Sequence, residues 1–304
     1  MPKDEWLYQA LRFKGSVFPS ILPRVILCGL FGLIISIMHN FGLRVHWPIL
    51  SNLVPSLVLG LLLVFRTNTA YDRFWEGRKL WGTLVNTVRN LARQIWVAIS
   101  EKRPDDIEEK IITIRLLVAF SVAMKLHLRG EQINFELTSL MPSDQGTKLT
   151  KMNNPPLEIA FWIGDYLQRQ HQEGNLSTYQ LSDMLKLLDT MVDVLGGCER
   201  ILKTPIPLAY SIHIKQLLVI YCIALPFQMV ETLTWFTGPV VALISFALFG
   251  IEAIGLEIEN PFGRDPNDLP LDNICNTMLR NIEDLISLEP SVHQSIGKPE
   301  TLMG

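Results

Sequence analysis

An all-α integral membrane protein is the fold class this sequence predicts, and three observations predict it. Four apolar stretches approach or exceed the roughly 20 residues a membrane helix needs. The chain between the second and third carries apolar residues at helical spacing, with no strand pattern of any length. Charged residues are only 19% of the 304 residues, below the roughly 25% usual in soluble domains. The apolar share of 48% and mean hydropathy of +0.24 agree, although soluble chains also reach about half apolar.

The first stretch runs about Ile21 to Phe41, with VILCGLFGLIISIM at its heart, and the second about Ile49 to Phe65. A short link with His39, Asn40, Arg44 and His46 joins them. The third runs about Ile206 to Val230 and the fourth about Trp235 to Ile258. Segments three and four contain His213, Lys215, Glu252 and Glu257. Lipid cannot solvate such charges, so they face a bundle interior or a water-filled space, or they sit near helix ends and snorkel outward. For Lys215 and Glu257 both readings stand. Pro55 is expected to kink segment two, and Pro226 and Pro239 to interrupt segments three and four. Gly60 and Ser56 would permit close helix approach.

Between Arg66 and Thr204 the pattern becomes amphipathic. Phe74, Trp81, Leu84, Val88, Leu91 and Ile95 mark one helix face. A second helix covers about Glu108 to Leu128, a third begins near Pro156, and a fourth covers about Ser177 to Leu202 with Ser177 as its cap. SLMPSDQGTKLTKMNNPP is expected to be a loop. No repeat or low-complexity tract appears, and the whole chain reads as a single domain. The tail from about Ser291 to Gly304 reads as flexible.

Charge sets the topology and excludes some functions. Lys3, Arg12, Lys14 and Arg24 precede or open segment one; Arg66, Arg73, Arg78, Lys79, Arg89 and Arg93 follow segment two; the first link carries only Arg44. By the positive-inside rule both termini and the central stretch are cytoplasmic in a multi-pass protein of the cell membrane. A net charge of -3 argues against a nucleic-acid partner. Cys28, Cys198, Cys222 and Cys275 form no CxxC pair and no zinc spacing with a His, so they read as unpaired, mostly buried thiols. The N-terminus lacks the apolar core and cleavage site of a signal peptide. The six His are scattered, and HExxH, Walker A and GxSxG motifs are absent, which leaves no catalytic residue to name and points away from an enzyme.

Three stretches together resemble the bestrophin family, including its bacterial members. They are FRTNTAYDRFWEGRKLWG (Phe65 to Gly82), IPLAY (Ile206 to Tyr210) and IENPFGRDPNDLP (Ile258 to Pro270). Their order, spacing and four-segment layout also match, and the resemblance covers roughly Leu11 to Leu288. It implies a homopentamer around one central pore, passing small inorganic ions such as chloride or bicarbonate. It implies a narrow neck at Leu57, Leu61 and Phe65 and a cytoplasmic constriction at Ile206. A narrow apolar ring closes a pore by dewetting, and residues four apart share a helix face. The same stripe also suits lipid contact or helix packing. Aromatic ring edges are partly positive, so Phe65 tolerates a passing anion edge-on.

Arg66, Asn68, Asp72, Arg73, Glu76 and Arg78 lie just past segment two. They read either as structural charges in salt bridges or as the lining of an anion vestibule. Animal bestrophins hold calcium with a run of acidic residues after the NPFG motif. Here the region reads Arg264, Asp265, Pro266, Asn267, Asp268, so only Asp265 and Asp268 remain as carboxylates, and an Arg and a Pro interrupt the run. Calcium takes about 6–8 oxygen ligands, so neither a calcium site nor any other cofactor is expected, and DPND reads as turn chemistry. Animal members more often place Phe at two neck positions where this chain has Leu. A cation-selective channel is therefore the alternative, as one bacterial member is, and a secondary transporter or a scaffold that does not conduct stands behind it.

Overall fold

The structure is a computed structural model describing residues 12–13, 15–47 and 53–290. Ten α-helices make up the described regular structure. They are α1 (Phe18–Asn40), α2 (Leu53–Ala98), α3 (Pro104–Arg129), α4 (Phe135–Thr138), α5 (Ser143–Leu149), α6 (Pro155–Gln172), α7 (Thr178–Lys203), α8 (Leu208–Leu233), α9 (Thr237–Glu257) and α10 (Leu271–Ile286). A single 3₁₀ turn, Thr234–Phe236, links α8 to α9, and no strand occurs among the described residues. The expected start of segment two near Ile49, and the tail from Ser291, lie outside the described residues.

The chain divides into two compact units. One comprises the chain up to Trp75 with Thr204–Asp268, the other Glu76–Lys203 with the chain from Leu269 onward. In the first unit α1, the start of α2, α8 and α9 pack together. Ile21 and Val25, Leu59 and Leu63, Ile214, Leu218 and Cys222, and Phe249 and Ala253 make their shared core. Glycine sets how closely α1 and α9 approach. A Cβ on Gly32 would lie 2.9 Å from the Cα of Gly238, and one on Gly238 would lie 3.0 Å from the carbonyl oxygen of Gly29. Small residues at such a crossing let backbones pack directly where lipid supplies no hydrophobic drive between helices. The Ser36 hydroxyl, fully buried, lies 2.9 Å from both the Gly32 and Thr234 carbonyls and ties α1 to the 3₁₀ turn.

Large apolar side chains stay exposed around this bundle, among them Leu27, Leu30, Ile34, Ile220, Leu243 and Ile254. A belt of this kind is what lipid or neighbouring subunits cover. The second unit is the reverse. Helix α3 is also long and apolar enough to cross a membrane, but 78% of its most apolar window is buried within the protein, against 28% for α1. It is the core helix of that unit, packed against α6 and α10.

Several sequence expectations are corrected. Segment two and the first amphipathic helix are one helix, because nothing between Phe65 and Phe74 breaks the backbone. Pro55 lies in the first described turn of α2, and the helix runs unbroken past it. Pro226 sits inside α8 without ending it. Pro239 falls in the first turn of α9, where its missing N–H removes no intrahelical bond. The stretch expected as loop contains α5. Helix α10 is an addition to the sequence expectations, although Leu271, Cys275, Met278 and Ile282 bury one face at helical spacing. The Ser177 cap is present: its backbone N–H and hydroxyl both contact Gln180 Oε1, and its hydroxyl accepts from the Gln180 N–H.

Candidate pore-lining site

On α2 successive residues turn by about 100°, so positions four apart drift by about 40° and rise about 6 Å. Leu57, Leu61 and Phe65 therefore form one slanting stripe, and all three are exposed, at 60%, 49% and 54%. The opposite face holds Leu59, Leu63, Arg66 and Ala70, all buried. Apolar residues thus occur on both faces, and the burial pattern rather than hydropathy separates core from open surface. A methyl group added at Gly60 would meet nothing within 4 Å, so this glycine serves no close approach among the described residues.

Directly after the stripe the helix changes character. Arg66 is buried, with Nη1 3.5 Å from Glu252 Oε1 and Nη2 3.7 Å from Glu259 Oε2. Arg24 approaches the other oxygen of Glu252 at 4.0 Å. These contacts are longer than hydrogen bonds, and Arg66 Nε and Glu252 Oε1 find no hydrogen-bond partner among the described residues. Arg66, Glu252 and Glu259 form an ion triad by charge compensation, with Arg66 and Glu252 buried, where an unpaired ion would be far more costly.

Glu259 is the meeting point of the three sequence stretches. Its carboxylate accepts from the Ile206 backbone N–H at 3.0 Å and faces Arg66. Its carbonyl accepts from Arg73 Nε at 3.1 Å, and the same guanidinium donates through Nη1 to the Thr204 carbonyl. Tyr210, at the end of IPLAY, donates its hydroxyl to the Leu62 carbonyl. Three segments scattered across the sequence thus brace the start of α2 at one place. Ile206 itself is buried, at 8%, its neighbours Pro205, Pro207 and Leu208 being exposed.

The remaining candidates separate. Glu76 accepts from Arg200 Nη2 at 2.6 Å within the second unit, and Arg78 is exposed there beside Asn86, Arg89 and Asn273. Arg66 and Arg73 both make their contacts inside the first unit. The Asp268 carboxylate accepts the Asp265 N–H at 2.7 Å, and the Asp268 N–H donates to the Asp265 carbonyl, which makes DPND a closed turn. Among the described residues no group of three His, Cys, Asp or Glu is placed to hold a metal ion. Sequence reasoning noticed Glu252 without its partner and passed over Glu259. The available signal was an acidic residue amid apolar helix, which calls for a named counter-charge.

A four-span helical bundle with an exposed apolar stripe on one helix, braced beneath by a buried ion triad, defines a membrane protein of the bestrophin fold class. The chain matches the family described as bacterial/fungal bestrophin protein over residues 1–284 and belongs to it. It is 63% identical over 290 residues to a voltage-dependent anion channel-forming protein of a Nostoc species, covering 95% of this chain and 94% of that one. A Synechocystis protein of the same description is 59% identical, over 94% and 93%. Among solved structures, a bacterial bestrophin homologue from Klebsiella pneumoniae aligns with a TM-score of 0.81 at 31% identity, over 88% of this chain and 99% of that one.

Proposed function

We propose that the chain is the subunit of a homopentameric channel passing small anions, chloride or bicarbonate among them, through an apolar neck of Leu57, Leu61 and Phe65. The observation that carries this reading is the exposed apolar stripe on α2, in a chain whose relatives bear the name of voltage-dependent anion channel-forming proteins. Five copies would stack three apolar layers over about 12 Å of helix rise. Such a ring resists wetting, and conduction requires it to widen. The rim residue is Phe65, whose ring edge offers partial positive charge to an anion. A second, cytoplasmic constriction at Ile206, which the family resemblance implies, requires this buried side chain to turn outward, and both termini face the cytoplasm. The protein performs no catalysis and needs no cofactor, calcium included.

The test is the reversal potential of the purified protein in a planar bilayer under a salt gradient. A reversal near the chloride equilibrium potential supports the reading, and one near the cation potential overturns its selectivity. Leu61→Ala enlarges the ring, so larger current is expected at the same voltage; unchanged current would remove the neck from this stripe.

A further inference from the structure

The first unit carries an apolar groove of about 580 Å³ between α1, α8 and α9, inside the about 300–1,000 Å³ range of small-molecule sites. Its walls are Leu27, Phe31, Leu218, Val219, Ile223 and Phe249. Its charged residues are Arg24, Lys215 and Glu252. These three lie at one level: Arg24 and Lys215 about 9–11 Å from the starts of α1 and α8, and Glu252 about 8 Å from the end of α9. That depth lets Arg and Lys side chains reach up to the headgroup layer of a bilayer while the groove runs on among apolar side chains.

We propose that this groove binds an anionic phospholipid, one acyl chain along the apolar walls and the phosphate between Arg24 and Lys215. Charge decides the occupant. Glu252 already faces Arg66, which Glu259 also faces, so the five charges Arg24, Arg66, Lys215, Glu252 and Glu259 leave an excess of one positive. Lys215 is exposed and makes no ion pair among the described residues, and the Arg24 side chain is 59% exposed with its nearest carboxylate at 4.0 Å. Two cations at the mouth of a greasy channel fit a phosphate diester with a hydrocarbon tail, and a zwitterionic headgroup less well.

Native mass spectrometry of the intact oligomer in detergent tests this, titrating phosphatidylglycerol, phosphatidylcholine and inorganic phosphate separately. One phosphatidylglycerol per subunit is expected, preferred over phosphatidylcholine, with no adduct from phosphate alone. Lys215→Gln, at an exposed position that does not threaten folding, should weaken the phosphatidylglycerol adduct about tenfold, the equivalent of one hydrogen bond to a charged group. Val219→Trp should fill the groove and remove the adduct with the oligomer intact. Equal binding of both lipids, a phosphate adduct of equal strength, or full binding by Lys215→Gln would overturn the proposal. Dissociation of the Val219→Trp oligomer would also overturn it, showing that a second copy of the chain occupies the groove.

Discussion

Removing one member of the buried ion triad should cost far more than removing a matched pair. Among the described residues, Arg66→Met leaves Glu252 with Arg24 at 4.0 Å and Glu259 with the Ile206 N–H. Both Arg66 and Glu252 are nearly inaccessible, and breaking a buried pair from one side costs about 3–5 kcal/mol. Glu252→Leu should sit at the lower end, because Arg66 retains Glu259 at 3.7 Å. The double variant Arg66→Met with Glu252→Leu removes both charges and keeps the volume apolar. Its cost should fall well below the sum of the singles, by about 2 kcal/mol or more of coupling. The assay is a melting series of the detergent-purified protein by fluorescence-detected size exclusion. Single variants should lose on the order of 10 °C, with the double variant recovering part of that. Additive losses, or singles that melt with the parent, would refute the reasoning that charge compensation rather than shape holds this site.

Two further predictions concern packing and acid. Gly32→Ala drives a methyl to 2.9 Å from the Gly238 backbone and should cost about 1–3 kcal/mol. Gly196→Ala, whose methyl would meet nothing within 4 Å in α7, should stabilise by about 0.5–1 kcal/mol; the same thermal series reads both. Burial alone would raise Asp272 and Glu199, but hydrogen bonds outweigh it. Those from Lys125 and Arg129 hold Asp272 below the ordinary Asp value, and those from Lys203 and His127 hold Glu199 below the ordinary Glu value. A carboxylate depressed in the folded state stabilises above its unfolded pKa, about 4. That stability is lost as pH falls through the folded value, because the unfolded chain binds more protons. Denaturant midpoints should therefore fall on acidification below about pH 4, and Asp272→Asn should flatten the fall. A parallel, undiminished drop in the variant would remove Asp272 from the account.

The elements that sequence reveals best are those whose pattern is local. The stripe from Trp81 to Ile95 is fully buried as its spacing indicates, while Phe74 at its edge is only partly so. Ser177 caps α7 through the Ser-x-x-Gln pattern visible in the sequence. The boundaries of segments one, three and four agree to within a few residues, whereas segment two has no end at Phe65. What sequence hides is pairing at a distance. Hydropathy cannot tell that α3, apolar enough for a bilayer, is wrapped by its own chain, because burial depends on what surrounds a helix and not on its composition. Nor does a lone Glu252 reveal that its counter-charge is Arg66, directly after Phe65 on another helix. The exposed stripe at Leu57, Leu61 and Phe65 is legible only through likeness to a family, since α2 there is apolar all round.

The ion triad also orders events during synthesis. Arg66 precedes Glu252 by 186 residues in the chain, and the whole stretch Glu76–Lys203 is made in between. At about 5–20 residues per second, roughly 10–40 s pass before the first carboxylate partner exists. Throughout that interval the guanidinium has no buried counter-ion, so it must stay among water and headgroups, where its charge is solvated. Once α9 and the residues just beyond it are made, Glu252 and Glu259 are present to compensate that charge, 3.5 and 3.7 Å from the guanidinium in the folded chain.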